Sequence, residues 1–215
     1  RQKGTVHLIF EYVEHDMTGL VDSKAVKMDG KRVRCYMKQL LSAIFHMHSR
    51  GIMHRDIKPA NILVTRGNVL KLADLGLART HVNRTKKQGA WVKYENLVVT
   101  LWYRAPELLL GEQHYGFAVD MWSVGCVFAE WLYHRAILMG DDPDRQLKLI
   151  FNLCGTPTHE NWPNHECLKE WPKYAGMVRQ NPRVNAIDSR FRQFDADARF
   201  LVKGLLCLDS AQRLT

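Results

Sequence analysis

Met53-His54-Arg55-Asp56-Ile57-Lys58-Pro59-Ala60-Asn61-Ile62-Leu63-Val64 sets an imidazole, two cations, a carboxylate and a carboxamide between apolar residues. Apolar surroundings make charge costly, because an unpaired buried charge costs several kcal/mol. A stretch that keeps such groups there is expected to pair them or to use them. Asp56, Lys58 and Asn61 follow one another closely enough for one short loop to carry a proton acceptor, a charge clamp and an amide.

Around this loop runs a chain of 215 residues, which suits one domain with a real core or one lobe of a larger enzyme. Hydrophobic residues make up 46% and charged residues 25%, the balance of an ordinary globular protein. The longest apolar stretch, Met121 to Leu132, is broken by Ser123 and Glu130 and is too short to span a bilayer, so no membrane partner is expected. No signal peptide is read. The chain starts at Arg1 rather than Met, which leaves open that it is a fragment. The five cysteines form no Cys-x-x-Cys pair and read as reduced thiols of the cytosol or nucleus. His46 and His48 share no helix face, so no zinc site is expected. Lysine and arginine number 31 against 22 acids, a net +9. The charge is dispersed, its densest cluster being Arg84-Thr85-Lys86-Lys87, and no aromatic-interleaved basic stripe appears. Direct nucleic-acid binding is therefore not expected.

Val6 to Val13 is apolar and β-rich and reads as a strand ended by Glu14-His15-Asp16, with a short helical segment from Met17 to Leu20. Lys31 to Arg50 repeats apolar residues near a 3.6 period, an amphipathic helix with Gly51 at its C-terminal cap. Asn61 to Val64 and Val69 to Ala73, joined by Arg66-Gly67-Asn68, read as a small hairpin. Arg79 to Glu95 reads as a long loop, a length that ordered domains keep mainly for function. Helical patterns follow at Val119 to Tyr133, Arg145 to Leu153 and Arg199 to Leu208.

Three motifs stand in order. His54-Arg55-Asp56 with Asn61 matches H-R-D-x-x-x-x-N, Asp74-Leu75-Gly76 takes the place of D-F-G, and Ala105-Pro106-Glu107 matches A-P-E. Together they resemble the signature set of eukaryotic protein kinases. The resemblance implies a protein-kinase-like α+β fold. Residues 1–18 would be the last N-lobe strand and hinge, and 19–215 a mostly helical C-terminal lobe with a small hairpin, with the catalytic loop at 53–64 and the activation segment at 74–107. It implies ATP and Mg²⁺ as cofactors. Phosphoryl transfer needs in-line positioning and charge cancellation more than covalent help. By resemblance Asp56 takes or orients the proton of the attacking hydroxyl and Lys58 holds the transferring phosphate. Asn61 and Asp74 ligate Mg²⁺, and Thr100 shapes the floor for the substrate hydroxyl. Lys58 implies Ser/Thr rather than Tyr specificity. His54 is expected to be structural. Asp120 would accept backbone N–H groups of the His54-Arg55 loop, and Glu107 would pair with Arg213.

Val98-Val99-Thr100-Leu101-Trp102-Tyr103-Arg104 and Leu153-Cys154-Gly155-Thr156-Pro157 resemble the cyclin-dependent kinase branch. That branch favours proline after the phosphorylated residue through the loop at Val98 and Val99. Phe10 to Leu20 and Val69 to Asp74 resemble the transcription-elongation kinases partnered by cyclin T, with those partnered by cyclin K as near relatives. The resemblance implies a cyclin partner, protein substrates with Ser/Thr-Pro such as RNA polymerase II C-terminal repeats, and the nucleus, with the cytoplasm open. Phe10 would be the gatekeeper. The Glu11 and Val13 backbone would meet adenine, Asp16 the ribose, and Leu63 and Ala73 the pocket floor. For Phe10 and Leu63, plain core is the equal alternative.

The chain also departs from the pattern. It carries no G-x-G-x-x-G loop, no V-A-I-K-type lysine and no partner-helix glutamate, so the resemblance implies that most of the N-lobe is absent. Alone it should bind ATP poorly and transfer phosphate negligibly. A pseudokinase or scaffold is the competing class, against which Asp56, Lys58, Asn61 and Asp74 speak. Leu75 in place of Phe is expected still to fill an apolar slot. Glu95 stands where the branch has its activating threonine, and Arg55 and Arg79 match the arginines that would gather around a phosphate there. Glu95 is expected either to substitute partly for that phosphate or to be an ordinary exposed carboxylate.

Overall fold

The computed structural model describes residues 7–23, 28–81 and 93–215. The chain opens on β1 (His15–Asp16) and α1 (Met17–Asp22), then α2 (Gly30–His48) and β2 (Ile52–Met53). The hairpin β3 (Ile62–Val64) and β4 (Leu70–Leu72) follows, then β5 (Arg79–Thr80). Helices dominate the rest: α3 (Pro106–Leu109), α4 (Ala118–Tyr133), α5 (Pro143–Cys154), α6 (Trp171–Gln180), α7 (Ile187–Arg190) and α8 (Ala196–Leu205). Among the described residues no helix is long and apolar enough to cross a membrane.

The helix starts follow local chemistry. Asp29, Asp142 and Asp195 each turn a carboxylate onto the N–H three residues on, at 2.7–2.9 Å, and so satisfy donors that the first turn leaves orphaned. Asp195 explains why α8 begins three residues earlier than the apolar period of Arg199 to Leu208 suggests. At the far end of α2, Gly51 takes φ +72, a left-handed turn that glycine adopts at little cost.

α4 is the central post, with Trp122 and Trp131 fully buried, and α2 and α8 pack on it. Gly125 permits the α8 contact, since a Cβ there would stand 2.9 Å from Leu205 Cβ. The hairpin forms as expected, Leu63 pairing with Lys71 and Asn68 turning at φ 60.

Two expectations fail near the start. His7 to Val13 forms no strand, and Leu8, Ile9, Phe10 and Tyr12 are exposed; Val6 lies outside the described residues. β-propensity expresses itself only against a partner strand, and here the pairing partner, β3, takes His15–Asp16 instead. Residues read as the strand's end are thus the strand. The long loop also starts later than expected, because Arg79–Thr80 pairs with Ile52–Met53. Most of the remainder, 82–92, lies outside the described residues.

Candidate active site

The loop after β2 hangs from α4. Asp120, in the first turn of α4 and 1% exposed, accepts the N–H of His54 at 2.9 Å and of Arg55 at 2.8 Å. Its Oδ2 also meets His48 Nε2 at 2.8 Å. These bonds hold Arg55 at φ 66, a left-handed conformation that a non-glycine residue keeps only under constraint. His54 is buried. Its Nδ1 accepts the Asp56 N–H at 3.2 Å, so its Nε2 carries the proton donated to the Ala73 carbonyl at 3.0 Å. The imidazole thus ties the loop to the end of β4.

Asp56 stands at the centre of a small polar cluster. Lys58 Nζ donates to its Oδ2 at 2.8 Å and Asn61 Nδ2 to the same oxygen at 3.0 Å. The Thr100 N–H and Oγ1 approach its Oδ1 at 3.3 and 3.2 Å, and Lys58 Nζ also reaches Thr100 Oγ1 at 3.1 Å. Burial pushes the Asp56 carboxyl up, but the hydrogen bond and charge of Lys58, the Thr100 N–H and the Asn61 amide outweigh it and hold the carboxyl below its ordinary value. At neutral pH it is an anion of weak basicity, better suited to orienting a hydroxyl than to removing its proton early. The structure thus gathers Asp56, Lys58, Asn61 and Thr100 within hydrogen-bond reach.

The Asn61 side-chain NH2 is spent on Asp56, including the Asp56 carbonyl at 2.8 Å, which leaves its side-chain Oδ1 with no hydrogen bond among the described residues. Asp74 sits at φ 63 just past β4, its exposed carboxylate sharing one oxygen with the Gly76 N–H at 3.1 Å. Leu75, expected to fill an apolar slot, is instead 60% exposed, in a turn that the Ala78 N–H closes on the Leu75 carbonyl.

The floor beside Thr100 is anchored from below. Tyr103 OH donates to Glu130 Oε2 at 2.7 Å, and Ser123 Oγ to the Tyr103 carbonyl at 2.8 Å. Burial raises both the Glu130 carboxyl and the Tyr103 hydroxyl above their ordinary values. Val99 takes φ 68, rare for a β-branched residue. Arg104 holds it there, with Nε on the Val98 carbonyl at 2.8 Å and Nη2 on the Val99 carbonyl at 2.9 Å.

The nucleotide candidates form a looser group. Antiparallel pairing sets Asp16 beside Leu63, and the Ala73 N–H bonds the Asn61 carbonyl at 2.9 Å, so Leu63 and Ala73 border the loop. Phe10 is 80% exposed. Glu11 is exposed and pairs through its carboxylate with Lys71, and Val13 is half-buried. Asp16 caps α1 by accepting the Gly19 N–H.

The arginines do not gather around Glu95. Arg55 Nε donates to the Leu77 carbonyl and its Nη1 to Tyr115 OH, both at 2.8 Å, and Arg79 bonds the Ala78 carbonyl. Tyr115 intervenes because its hydroxyl hydrogen goes to the Glu95 backbone carbonyl, while the Glu95 side chain is exposed. Arg55 Nη2 is buried and has no hydrogen-bond partner among the described residues.

A family model described as protein kinase domain matches residues 1–215. The chain belongs to the protein kinase family. Its relatives include cyclin-dependent kinase C-2 of Oryza sativa subsp. japonica, 42% identical over all of this chain and 40% of that protein. Another is cyclin-dependent kinase 9 of Danio rerio, 41% identical over all of this chain and 57% of that protein. Among solved structures, the yeast RNA Pol II CTD kinase CTDK-1 complex matches at TM-score 0.89 and 35% identity, over 96% of this chain and 66% of that one. The CAK complex from Chaetomium thermophilum bound to ATP-gamma-S matches at TM-score 0.83 and 37% identity, over 95% of this chain and 62% of that one. The kinase chain therefore spans less than half the length of the first of these relatives.

Sequence reasoning missed Glu130, Tyr103, Ser123 and Arg104 as supports of the segment around Val99 and Thr100. A lone glutamate inside the apolar run of α4 was the available signal, since such a charge requires a buried partner. Tyr115 left no comparable mark.

Proposed function

We propose that the full-length protein is a proline-directed Ser/Thr kinase. It would act with a T- or K-type cyclin in the nucleus and transfer the ATP γ-phosphate to Ser/Thr-Pro sites, including RNA polymerase II C-terminal repeats. The observation that carries this reading is the Asp56 cluster. A substrate hydroxyl entering beside Asp56 and Thr100 meets an oriented anion for its proton, while Lys58 stands ready beside it for the transferring phosphate. Lys58 has three donors and spends two of them on Asp56 and Thr100. The free oxygens of Asn61 and Asp74 are hard donors of the kind Mg²⁺ takes alongside phosphate oxygens. When bound, Mg²⁺ would neutralise charge on the phosphates. The relatives named as cyclin-dependent kinases, and the solved complex named as a polymerase kinase, support the cyclin and the substrate class.

Proline preference follows from Val99. Its carbonyl is engaged by Arg104, so it is poorly placed to accept an N–H from the residue after the substrate hydroxyl. Proline has no N–H to leave unsatisfied, whereas any other residue would forfeit about 1–3 kcal/mol. The full-length protein with cyclin and Mg-ATP is expected to phosphorylate a Ser-Pro peptide about 10- to 100-fold faster than its Ser-Ala counterpart, as that energy gap requires. No transfer above an Asp56→Asn control would sink the kinase reading. Equal rates on both peptides would sink the proline preference alone.

A further inference from the structure

Away from the catalytic loop, α5, α6 and the segment after α6 border an open pocket of about 400 Å³. Arg145 and Lys148 from α5 and Arg183 from the segment after α6 border it, with the side-chain amides of Asn152 and Asn181. No carboxylate lines it. Some exposed cations elsewhere do find acids: Arg34 pairs with Asp195, Lys203 with Asp188 and Lys173 with Glu170. The side chains of Arg145, Lys148 and Arg183 make no hydrogen bond or ion pair among the described residues. The acid next to Arg145 in sequence, Asp144, is held by Tyr174 OH at 2.6 Å.

The frame that carries these cations is firm. Arg145, Lys148 and Asn152 lie three and four residues apart on one face of α5. Arg183 is fixed through its backbone, its carbonyl accepting the Thr156 N–H at 2.9 Å and its own N–H reaching Thr156 Oγ1 at 3.2 Å. Three cationic side chains border one pocket, and an anion bound among them would be attracted by all three. Two guanidinium groups favour an anion with several oxygens, which they can grip in pairs.

We infer that this cavity is a binding site for a phosphate monoester on a polypeptide substrate, a residue already phosphorylated near the one to be modified. The inference rests on the reading of the chain as a protein kinase. Its link to that site is α5 itself. Gln146, beside Arg145, donates to the Trp102 carbonyl at 3.3 Å and accepts the Gly140 N–H at 2.9 Å, and Trp102 Nε1 donates to the Gly140 carbonyl at 2.9 Å. One rigid helix thus supports the floor next to Thr100 and displays the cationic cavity. A repeated Ser/Thr-Pro substrate would leave its phosphorylated residue there and offer the next hydroxyl to Asp56. A monoester carries about −1.5 to −2 charges, more than the single charge of each nucleic-acid phosphodiester. The one aromatic residue of the lining, Phe151, is buried and gives no stacking platform for bases.

The test is direct binding to the full-length protein without ATP, read by fluorescence anisotropy. The probes are a peptide of two Ser-Pro repeats, the same peptide with one phosphoserine, inorganic phosphate and a single-stranded RNA oligonucleotide. The phosphopeptide is expected to bind about tenfold tighter than the plain peptide, an advantage that shrinks with added salt. The variant Arg145→Ala/Lys148→Ala/Arg183→Ala is expected to lose that advantage while phosphorylating a single-site plain peptide at the parent rate. Lys148→Glu, one exposed change, should reduce the advantage in the same direction and serves if the triple variant misfolds. Equal binding of the two peptides overturns the inference. So does an advantage that survives in both variants, or RNA or inorganic phosphate binding at the cavity where the phosphopeptide does not. Because the readout needs no catalysis, its failure leaves the kinase reading intact, and an inactive kinase leaves it readable.

Discussion

Two carboxylate–cation pairs divide the labour of this molecule. Glu107 and Arg213 form a bidentate pair at 2.7 and 2.9 Å, with side chains 4% and 0% exposed. The other Arg213 bonds go to the carbonyls of Ala118, Cys207 and Leu208, and the guanidinium lies over Trp122 at 5.1 Å. Asp56 and Lys58 pair at 2.8 Å but are 9% and 26% exposed, and Lys58 keeps a donor unspent. Arg213 has no donor left, and the pair ties α3 to the chain after α8. The second is held in place yet incomplete, which is what a site for a passing substrate requires. Full satisfaction makes an anchor; partial satisfaction on a rigid frame leaves groups available, as the proposed kinase role of Asp56 and Lys58 requires.

The contrast breaks most visibly at the anchor. Glu107→Ala should cost about 3–5 kcal/mol of stability, because it strands a buried guanidinium. Arg213→Ala should cost at least as much, since it also takes the donor from the Cys207 and Leu208 carbonyls; denaturant unfolding of the full-length protein measures both. A loss below about 1 kcal/mol would put this pair in the class of surface ion pairs and end the distinction. At the reactive centre the opposite pattern is expected. Asp56→Asn should lower kcat by about 100- to 10,000-fold, the usual range for a positioned acid or base, and leave the melting temperature nearly unchanged. Activity retained within tenfold would remove Asp56 from the mechanism.

Lys58→Met sharpens the comparison through protonation. Burial raises the Asp56 carboxyl and Lys58 is the chief group opposing it, so the variant should titrate Asp56 at higher pH than the parent. In the parent, Asp56 stays ionised until the pH falls below the ordinary Asp value. In the variant, protonation begins at higher pH. A ¹³C-carboxyl NMR titration reads this whether or not the variant is active, and an unmoved midpoint would mean that Lys58 does not set the charge state. The smallest effect is expected at Glu95, whose side chain joins neither Arg55 nor Arg79. Glu95→Ala should change activity of the cyclin-bound protein by less than about threefold, in keeping with an exposed charge worth under 1 kcal/mol. A larger loss would restore Glu95 as a stand-in for phosphate.

Much of this was legible beforehand, and for local reasons. Amphipathic period marked α2, an apolar helical pattern marked α4, turn residues marked the hairpin, and motif spacing grouped Asp56, Lys58 and Asn61, since all three ride one loop. Residues 7–13 misled because strand propensity needs a partner, which the sequence does not display. Leu75 misled because an apolar side chain says nothing about which way its turn faces. The Tyr103–Glu130 support was hidden because its members lie 27 residues apart on different elements.

By itself the sequence determined the family, the loop that groups Asp56, Lys58 and Asn61, and the helical character of most of the chain. Each of these depends on residues close together, where spacing is already geometry. Only the tertiary structure decided which charges are spent and which are left over. Asp120 holding Arg55 in a left-handed turn, Tyr115 standing between Arg55 and Glu95, and three cations meeting at one cavity all join distant segments. Their physics is burial and hydrogen-bond satisfaction, quantities that exist only once the chain has folded around them.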